Sequence, residues 1–194
     1  MEEIKEEQFR KGIHQFYPVS ETDFQEIWSH CRIVKLKRND FFLKEGQLCN
    51  KIAFINSGMI RHFYTTNAND VTRWVSMPGE FTSSLRSFLR QAFSIENLQA
   101  VANCELFVIN KDSTDLLLKT NESFKGFWIR CLEYSYLTIE DRVYSLIEKS
   151  AEERFMWMVK NQPWFIQLVP VMYTASMLGI TPRHLSRLRK KFKL

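Results

Sequence analysis

Apolar residues recur along the chain with three different rhythms. In residues 1–30, Ile4, Phe9, Ile13 and Phe16, and then Phe24, Ile27 and Trp28, sit at helix-like spacings interrupted at Pro18. Residues 31–110 change to short apolar runs: IVKL (33–36), DFFL (40–43), KIAFI (51–55), MIRHFY (59–64), VTRWVSM (71–77), ENLQAV (96–101) and ELFVI (105–109). Gly46, Gly58, Asn67–Asn69, Pro78 and Gly79 fall between runs. Many short strands at such intervals predict a β-sandwich or barrel. One short helix, SSLRSFLRQ (83–91), interrupts them.

From Lys111 the period is helical again. A short helix is predicted over Asp112–Lys119 and a long one over about 121–149, with no Pro and only Gly126 inside it. Phe124, Phe127, Trp128, Cys131, Leu132, Tyr134, Leu137, Ile139, Val143, Leu146 and Ile147 place apolar surface on more than one side of it. Such a helix has to bury both faces. One can cover the β region, and a second copy of the chain is the simplest cover for the other. Ser150 followed by Glu153 is a capping box, so a new helix is expected from Ala151, ending before Pro163. A domain boundary falls near 150.

Composition adds little beyond a globular core: 45% hydrophobic and 25% charged residues exclude a disordered chain. Sixteen Phe point to aromatic packing. The charged start MEEIKEEQFRKG and the lack of a long apolar run predict neither a secretory signal nor a membrane span, hence a cytoplasmic location. Cys31, Cys49, Cys104 and Cys131 are scattered and read as reduced thiols, not as metal ligands or a disulfide framework.

Charge changes the picture more. Beyond Glu153 there is no acidic residue, and residues 154–194 carry +8 of a total of +5, leaving −3 on the remainder. A basic end on a mildly acidic body suits a polyanionic partner. Within that end, VMYTASMLGITPRHLSRLRK (171–190) has the parts of a helix-turn-helix. Ala175 permits a close helix crossing, and Gly179 suits a turn costly for other residues. Leu178, Ile180, Leu185 and Leu188 clasp the two helices. Thr181 can cap the second helix, with Pro182 in its first position. Thr174 departs from the pattern, which usually has an aliphatic residue there. At about 100° per residue, Leu185, Leu188 and Phe192 share one face of the second helix and Arg183, Arg187 and Lys190 the other. Ser186 and His184 flank the cationic face, while Arg189 lies nearer the buried side. The DNA-contacting set predicted from this is Thr181, Arg183, His184, Ser186, Arg187, Arg189 and Lys190. Arginine can read guanine in the major groove and lysine can hold phosphates.

With these elements in place the chain resembles the Crp/Fnr regulators, the superfamily of the cyclic-AMP receptor protein, over roughly residues 20–194. The resemblance rests on FFLKEG (41–46), FINSGMIR (54–61), MPGEF (77–81), SAEERF (150–155) and LGITPRHLSRLRKKF (178–192). It implies an α+β fold of three parts. Residues 1–120 would form a β-roll sensor domain of the cyclic-nucleotide-binding type with flanking helices, 121–149 a long dimerisation helix, and 150–194 an all-α helix-turn-helix domain. It also implies a homodimer on a palindromic double-stranded DNA operator. Arg183 and Arg187 match base-contacting positions of the family, Pro182 replaces another contacting residue, and no β-hairpin wing is expected after the motif.

The sensor departs from the family pattern. Cyclic-nucleotide binders carry Gly-Glu-Leu, whose Glu holds the ribose, and then Arg-Ser, whose Arg holds the phosphate. Here these fall on Ser83-Ser84-Leu85 and on Ser94-Ile95. Loss of both charged partners predicts no cyclic-AMP binding of the usual kind. Ser83, Ser84, Leu85, Ser94 and Asn97 remain as the candidate pocket for an unknown effector, with Arg86 and Arg90 nearby as surface residues. No cofactor and no metal site is predicted. Cys31 and Cys49 do not make an iron–sulfur group, and His62 stands alone as an axial haem candidate. A cupin-like enzyme would need more histidines on the roll than His62. The chain therefore reads as a regulator and not an enzyme, the alternative being an interaction module whose basic end binds an acidic partner.

Overall fold

A computed structural model describes residues 2–193, with side chains from Lys5 onward; the side chain of Ile4 lies outside the described set. Two helices, α1 (Glu2–His14) and α2 (Glu21–Ser29), flank Pro18 as the periodicity predicts. Ser20 starts α2, its hydroxyl accepting the Asp23 N–H at 3.1 Å.

Eight strands follow: β1 (Arg32–Leu36), β2 (Phe41–Leu43), β3 (Lys51–Ser57), β4 (Ile60–Thr65), β5 (Asp70–Ser76), β6 (Phe81–Thr82), β7 (Asn97–Ala100) and β8 (Cys104–Asn110). They form two four-stranded antiparallel sheets, ordered β1-β8-β3-β6 and β2-β7-β4-β5. Helix α3 (Leu85–Arg90) interrupts the strands where expected. The two-residue β6 escapes the sequence pattern; it exists because Ala53 and Phe54 of β3 pair with Thr82 and Phe81.

Phenylalanine fills the space between the first helices and the first sheet. The Phe9 ring is fully buried and lies 5.4–6.1 Å from those of Phe24, Trp28, Phe54, Phe81 and Phe107. Phe124 and Phe127 join the same core from the long helix.

Helix α4 (Lys111–Thr120) leads directly into α5 (Glu122–Glu148), whose cap Asn121 accepts the Phe124 N–H at 2.8 Å. The capping box forms as predicted: Ser150 N–H donates to Glu153 at 2.8 Å and Glu153 N–H to the Ser150 hydroxyl at 3.3 Å. Helices α6 (Ala151–Asn161), α7 (Pro163–Leu168), α8 (Val171–Met177) and α9 (Pro182–Lys191) complete the described chain. Helix α7 was not expected. Pro163 ends α6, but it also opens α7 as the first helical residue, where its missing N–H costs nothing.

Val75 and Met77 of the roll are buried in the same cluster as Phe155, Phe165, Ala175, Leu185 and Leu188. The roll therefore completes the core of the C-terminal helices. Among the described residues, no helix is long and apolar enough to cross a membrane.

Phe9→Ala should lower stability by about 3–5 kcal/mol, since a fully buried ring leaves a cavity its aromatic neighbours cannot refill. Urea unfolding followed by Trp fluorescence measures this, and a loss under 1 kcal/mol would contradict the packing described.

Candidate functional site

The two helices of the C-terminal motif are set by backbone hydrogen bonding. At the end of α8, Ile180 N–H donates to Ala175 O at 3.0 Å and Gly179 N–H to Ser176 O at 3.1 Å, a Schellman cap. The cap requires a left-handed residue, and Gly179 supplies φ +69°. Thr181 opens α9, its hydroxyl accepting the His184 N–H at 3.2 Å, with Pro182 in the first turn. Ala175 is completely buried, as a close crossing demands, and Leu178, Leu185 and Leu188 are buried around it. Thr174 is also buried; its hydroxyl turns back toward Pro170 O at 3.4 Å, which lets a polar residue occupy an apolar position.

The outer face of α9 carries charge. Thr181, Arg183, Ser186, Arg187 and Lys190 are exposed, and His184 is half-buried. Two basic residues nearby are engaged by the protein itself. Lys191 pairs with Glu152 at 2.7 Å, and Arg189 turns inward to donate to Ile166 O at 2.9 Å. Arg189 thus ties α9 to α7. Among the described residues Arg183, Arg187 and Lys190 have no carboxylate within 4.0 Å.

The motif is docked on the roll by polar contacts at its turn. Thr72 N–H of β5 donates to the Ser176 hydroxyl at 2.8 Å, across 104 residues of sequence. Arg142 of α5 donates to Met177 O at 2.9 Å, and Arg154 of α6 donates twice to Leu178 O, at 2.9 and 3.1 Å. These arginines satisfy carbonyls that the end of α8 leaves unpaired. Arg61 adds its guanidinium 4.3 Å above the Tyr173 ring.

Inside the roll, Ser84 and Ser94 come together, their hydroxyls 3.2 Å apart, and both are buried. Between them sits Glu96, which sequence reasoning passes over. Ser84 donates to one oxygen of its carboxylate at 2.9 Å, and Arg73 Nε donates to the other at 3.0 Å. Ser94 donates to the Glu96 main-chain carbonyl at 2.8 Å. His62 completes the network. Its Nδ1 lies 3.3 Å from Arg73 Nη2 and 3.8 Å from the same Glu96 oxygen that Arg73 holds. Nε2 lies 2.9 Å from the Thr82 hydroxyl and 3.1 Å from the Ser76 hydroxyl. The only sequence signal for Glu96 is an acidic residue opening an otherwise apolar β run.

The remaining pocket candidates separate. Asn97 is committed to the chain, accepting from Glu45 N–H at 2.9 Å and donating to Thr65 at 3.3 Å. Ser83 donates to Lys51 O at 3.1 Å. Ser83 and Leu85, but not Ser84, Ser94 or Asn97, line a cavity of about 500 Å³ between the roll and α5. Among the described residues, no group of three or more His, Cys, Asp or Glu side chains is arranged to hold a metal ion.

Burial favours the neutral forms of both ionisable network members. It pushes the His62 imidazole below its ordinary range. For Glu96 the adjacent His62 ring and Arg73 guanidinium overcome burial and hold the carboxyl at about 2.

Residues 33–121 match the model of the cyclic nucleotide-binding domain family. No curated protein sequence matches the chain. Several solved structures share its fold. The c-di-GMP responsive global regulator CLP of Xanthomonas campestris is 15% identical with a TM-score of 0.68, covering 90% of this chain and 92% of its own. FixK2 of Bradyrhizobium japonicum is 13% identical with a TM-score of 0.70, covering 84% of each chain. The Thermus thermophilus catabolite activator protein is 16% identical with a TM-score of 0.56, covering 92% of this chain and 85% of its own.

Glu96 and His62 both tie stability to pH. Each has a folded-state pKa below its unfolded value, so its contribution is full above the unfolded pKa and lost as pH falls. For His62 the loss begins below about pH 6.5, and for Glu96 it runs from about pH 4.3 down toward 2. Urea unfolding midpoints should decline accordingly on acidification. Glu96→Gln should cost roughly 2–3 kcal/mol at pH 7, less than a fully buried pair because Arg73 is partly exposed, and should flatten the decline below about pH 4.3. A Glu96→Gln protein as stable as the parent at pH 7 would refute the network.

Proposed function

Starting from a Crp/Fnr-like fold with a cyclic nucleotide-binding domain at residues 33–121, we propose that the protein is a homodimeric, sequence-specific DNA-binding transcriptional regulator. The observation that carries this reading is the outer face of α9. Arg183, Arg187 and Lys190 stand exposed, with no carboxylate within 4.0 Å among the described residues, on a helix whose opposite face, Leu185 and Leu188, is clamped in the core. A rigid helix presenting unneutralised guanidinium groups suits insertion into a major groove, with Thr181, His184 and Ser186 flanking the contacts. Arg189 supports the recognition helix from behind through its bond to Ile166 O.

The dimer reading rests on α5. Ile129, Leu132, Tyr136, Ile139, Val143 and Leu146 alternate at three- and four-residue spacings, the a and d positions of a coiled coil. Five of them are at least 43% exposed, which a lone chain in water does not favour. A second copy placed on this seam would set two recognition helices side by side, as a palindromic operator requires.

The sensor does not take cyclic AMP by the usual contacts in this reading. Ser84 and Ser94 stand where a ribose-binding carboxylate and a phosphate-binding guanidinium would be needed. The neighbouring Arg73 already holds an anion of the chain itself, Glu96. Titration calorimetry giving micromolar cyclic-AMP affinity would overturn this.

Gel shifts on a genomic fragment library at physiological salt should yield discrete bound sites. Arg187→Ala should weaken those sites by about 1–3 kcal/mol, or roughly 5- to 150-fold, without altering the thermal midpoint. Unchanged site selection would remove Arg187 from the contact set, and binding lost equally from all DNA at low salt would favour an unspecific polyanion binder. Val143→Glu combined with Ile139→Glu should convert the dimer to monomer in sedimentation velocity.

A further inference from the structure

The 500 Å³ cavity between the roll and α5 borders the Glu96 network at His62, Arg73, Ser76 and Thr82 and is built differently at its two ends. Phe16, Phe81, Phe127 and Trp128 form an apolar wall. Along α5 the wall continues through Cys131, Ser135 and Thr138, whose small side chains leave the space open, and ends at Arg142. That volume is in the range of small-molecule sites, which combine an apolar lining with few placed polar groups.

Arg142 is the group that calls for a partner. A guanidinium carries five N–H donors, and among the described residues Arg142 forms one bond, Nη2 to Met177 O. Among the described residues no carboxylate lies within 4.0 Å of it, whereas Arg73 lines the same cavity and Arg154 shares the α8 terminus. Burial, and then the charges of Arg73 and Arg154, disfavour its protonated form. Glu96 neutralises Arg73, so positive charge remains in excess at this end. The single acid on the cavity wall, Glu80, is turned to the Met77 N–H at 3.1 Å, and burial pushes its carboxyl up toward the neutral form.

We infer that this cavity binds an amphipathic anion, a single acidic headgroup held at Arg142 with an apolar body laid along Phe16, Phe81, Phe127 and Trp128. The site deepens the proposed function by naming its effector class, and rests on that reading only for the consequence at DNA. Arg142 holds the turn of the DNA-binding motif through Met177 O. A bound anion competes for the same guanidinium, so occupancy shifts how the motif docks on the roll.

The test is calorimetric titration of the full chain with decanoate and with decyl phosphate, using decyltrimethylammonium and cyclic AMP as controls. Saturable binding of at least one anion, and of neither control, is expected. Binding should weaken tenfold or more in Arg142→Gln and recover in part in Arg142→Lys, with circular dichroism unchanged in both. Thr138→Phe, which fills the cavity and leaves Arg142 in place, should also abolish it. Absence of saturable binding by both anions, equal binding of the cation, or an unaffected Arg142→Gln protein would each overturn the site. Because no DNA is present, a chain that binds operators but not the anions refutes this site alone. Anion binding by a chain that recognises no operator refutes the regulator reading alone.

Discussion

Helix α5 has more apolar surface than its own chain can cover, and most of the structure answers that constraint. Its first turns drive Phe124 and Phe127 into the aromatic core beneath the roll. Further along, Cys131, Ser135, Thr138 and Arg142 face the roll across a cavity, while the neighbouring seam from Ile129 to Leu146 is left to solvent. A helix with three such stripes is stable only if each finds a partner. The roll supplies one, the cavity is open to a second, and a copy of the chain fits the third.

The same helix joins the roll to the C-terminal motif. Arg142, Arg154, Thr72 and Arg61 all reach the turn or the first helix of that motif, from three different parts of the fold. Val75 and Met77 close its hydrophobic core. Movement of the roll against α5 therefore changes bonds at the motif without any long relay. Such a joint has two energetically close arrangements when the contacts are few and polar, and a ligand biases them by its different affinity for each.

Inside the roll, chemistry has been reorganised around a resident charge. A buried carboxylate is tolerated only with a cation and hydrogen bonds. Glu96 has Arg73, the Ser84 hydroxyl and the adjacent His62 ring. The result is a polar centre satisfied from within the chain.

Much of the fold and of the C-terminal motif was legible in residue order. The Ser150–Glu153 box, the Thr181–Pro182 start, the Gly179 turn and the division of α9 into apolar and cationic faces all depend on groups within four residues of one another. Local geometry decides them whatever the rest of the chain does. The sensor was legible only in part. Ser84 and Ser94 were placed together, but Glu96, Arg73 and His62 meet through cross-strand pairing, and nothing in their spacing announces it. Helix α7, the sharing of Val75 and Met77 with the C-terminal core, the inward bond of Arg189 and the cavity ending at Arg142 are likewise products of packing. They join residues tens of positions apart, up to the 104 between Thr72 and Ser176. Burial and close approach there follow from how the sheets, α5 and the last helices are assembled, which tertiary structure alone decides.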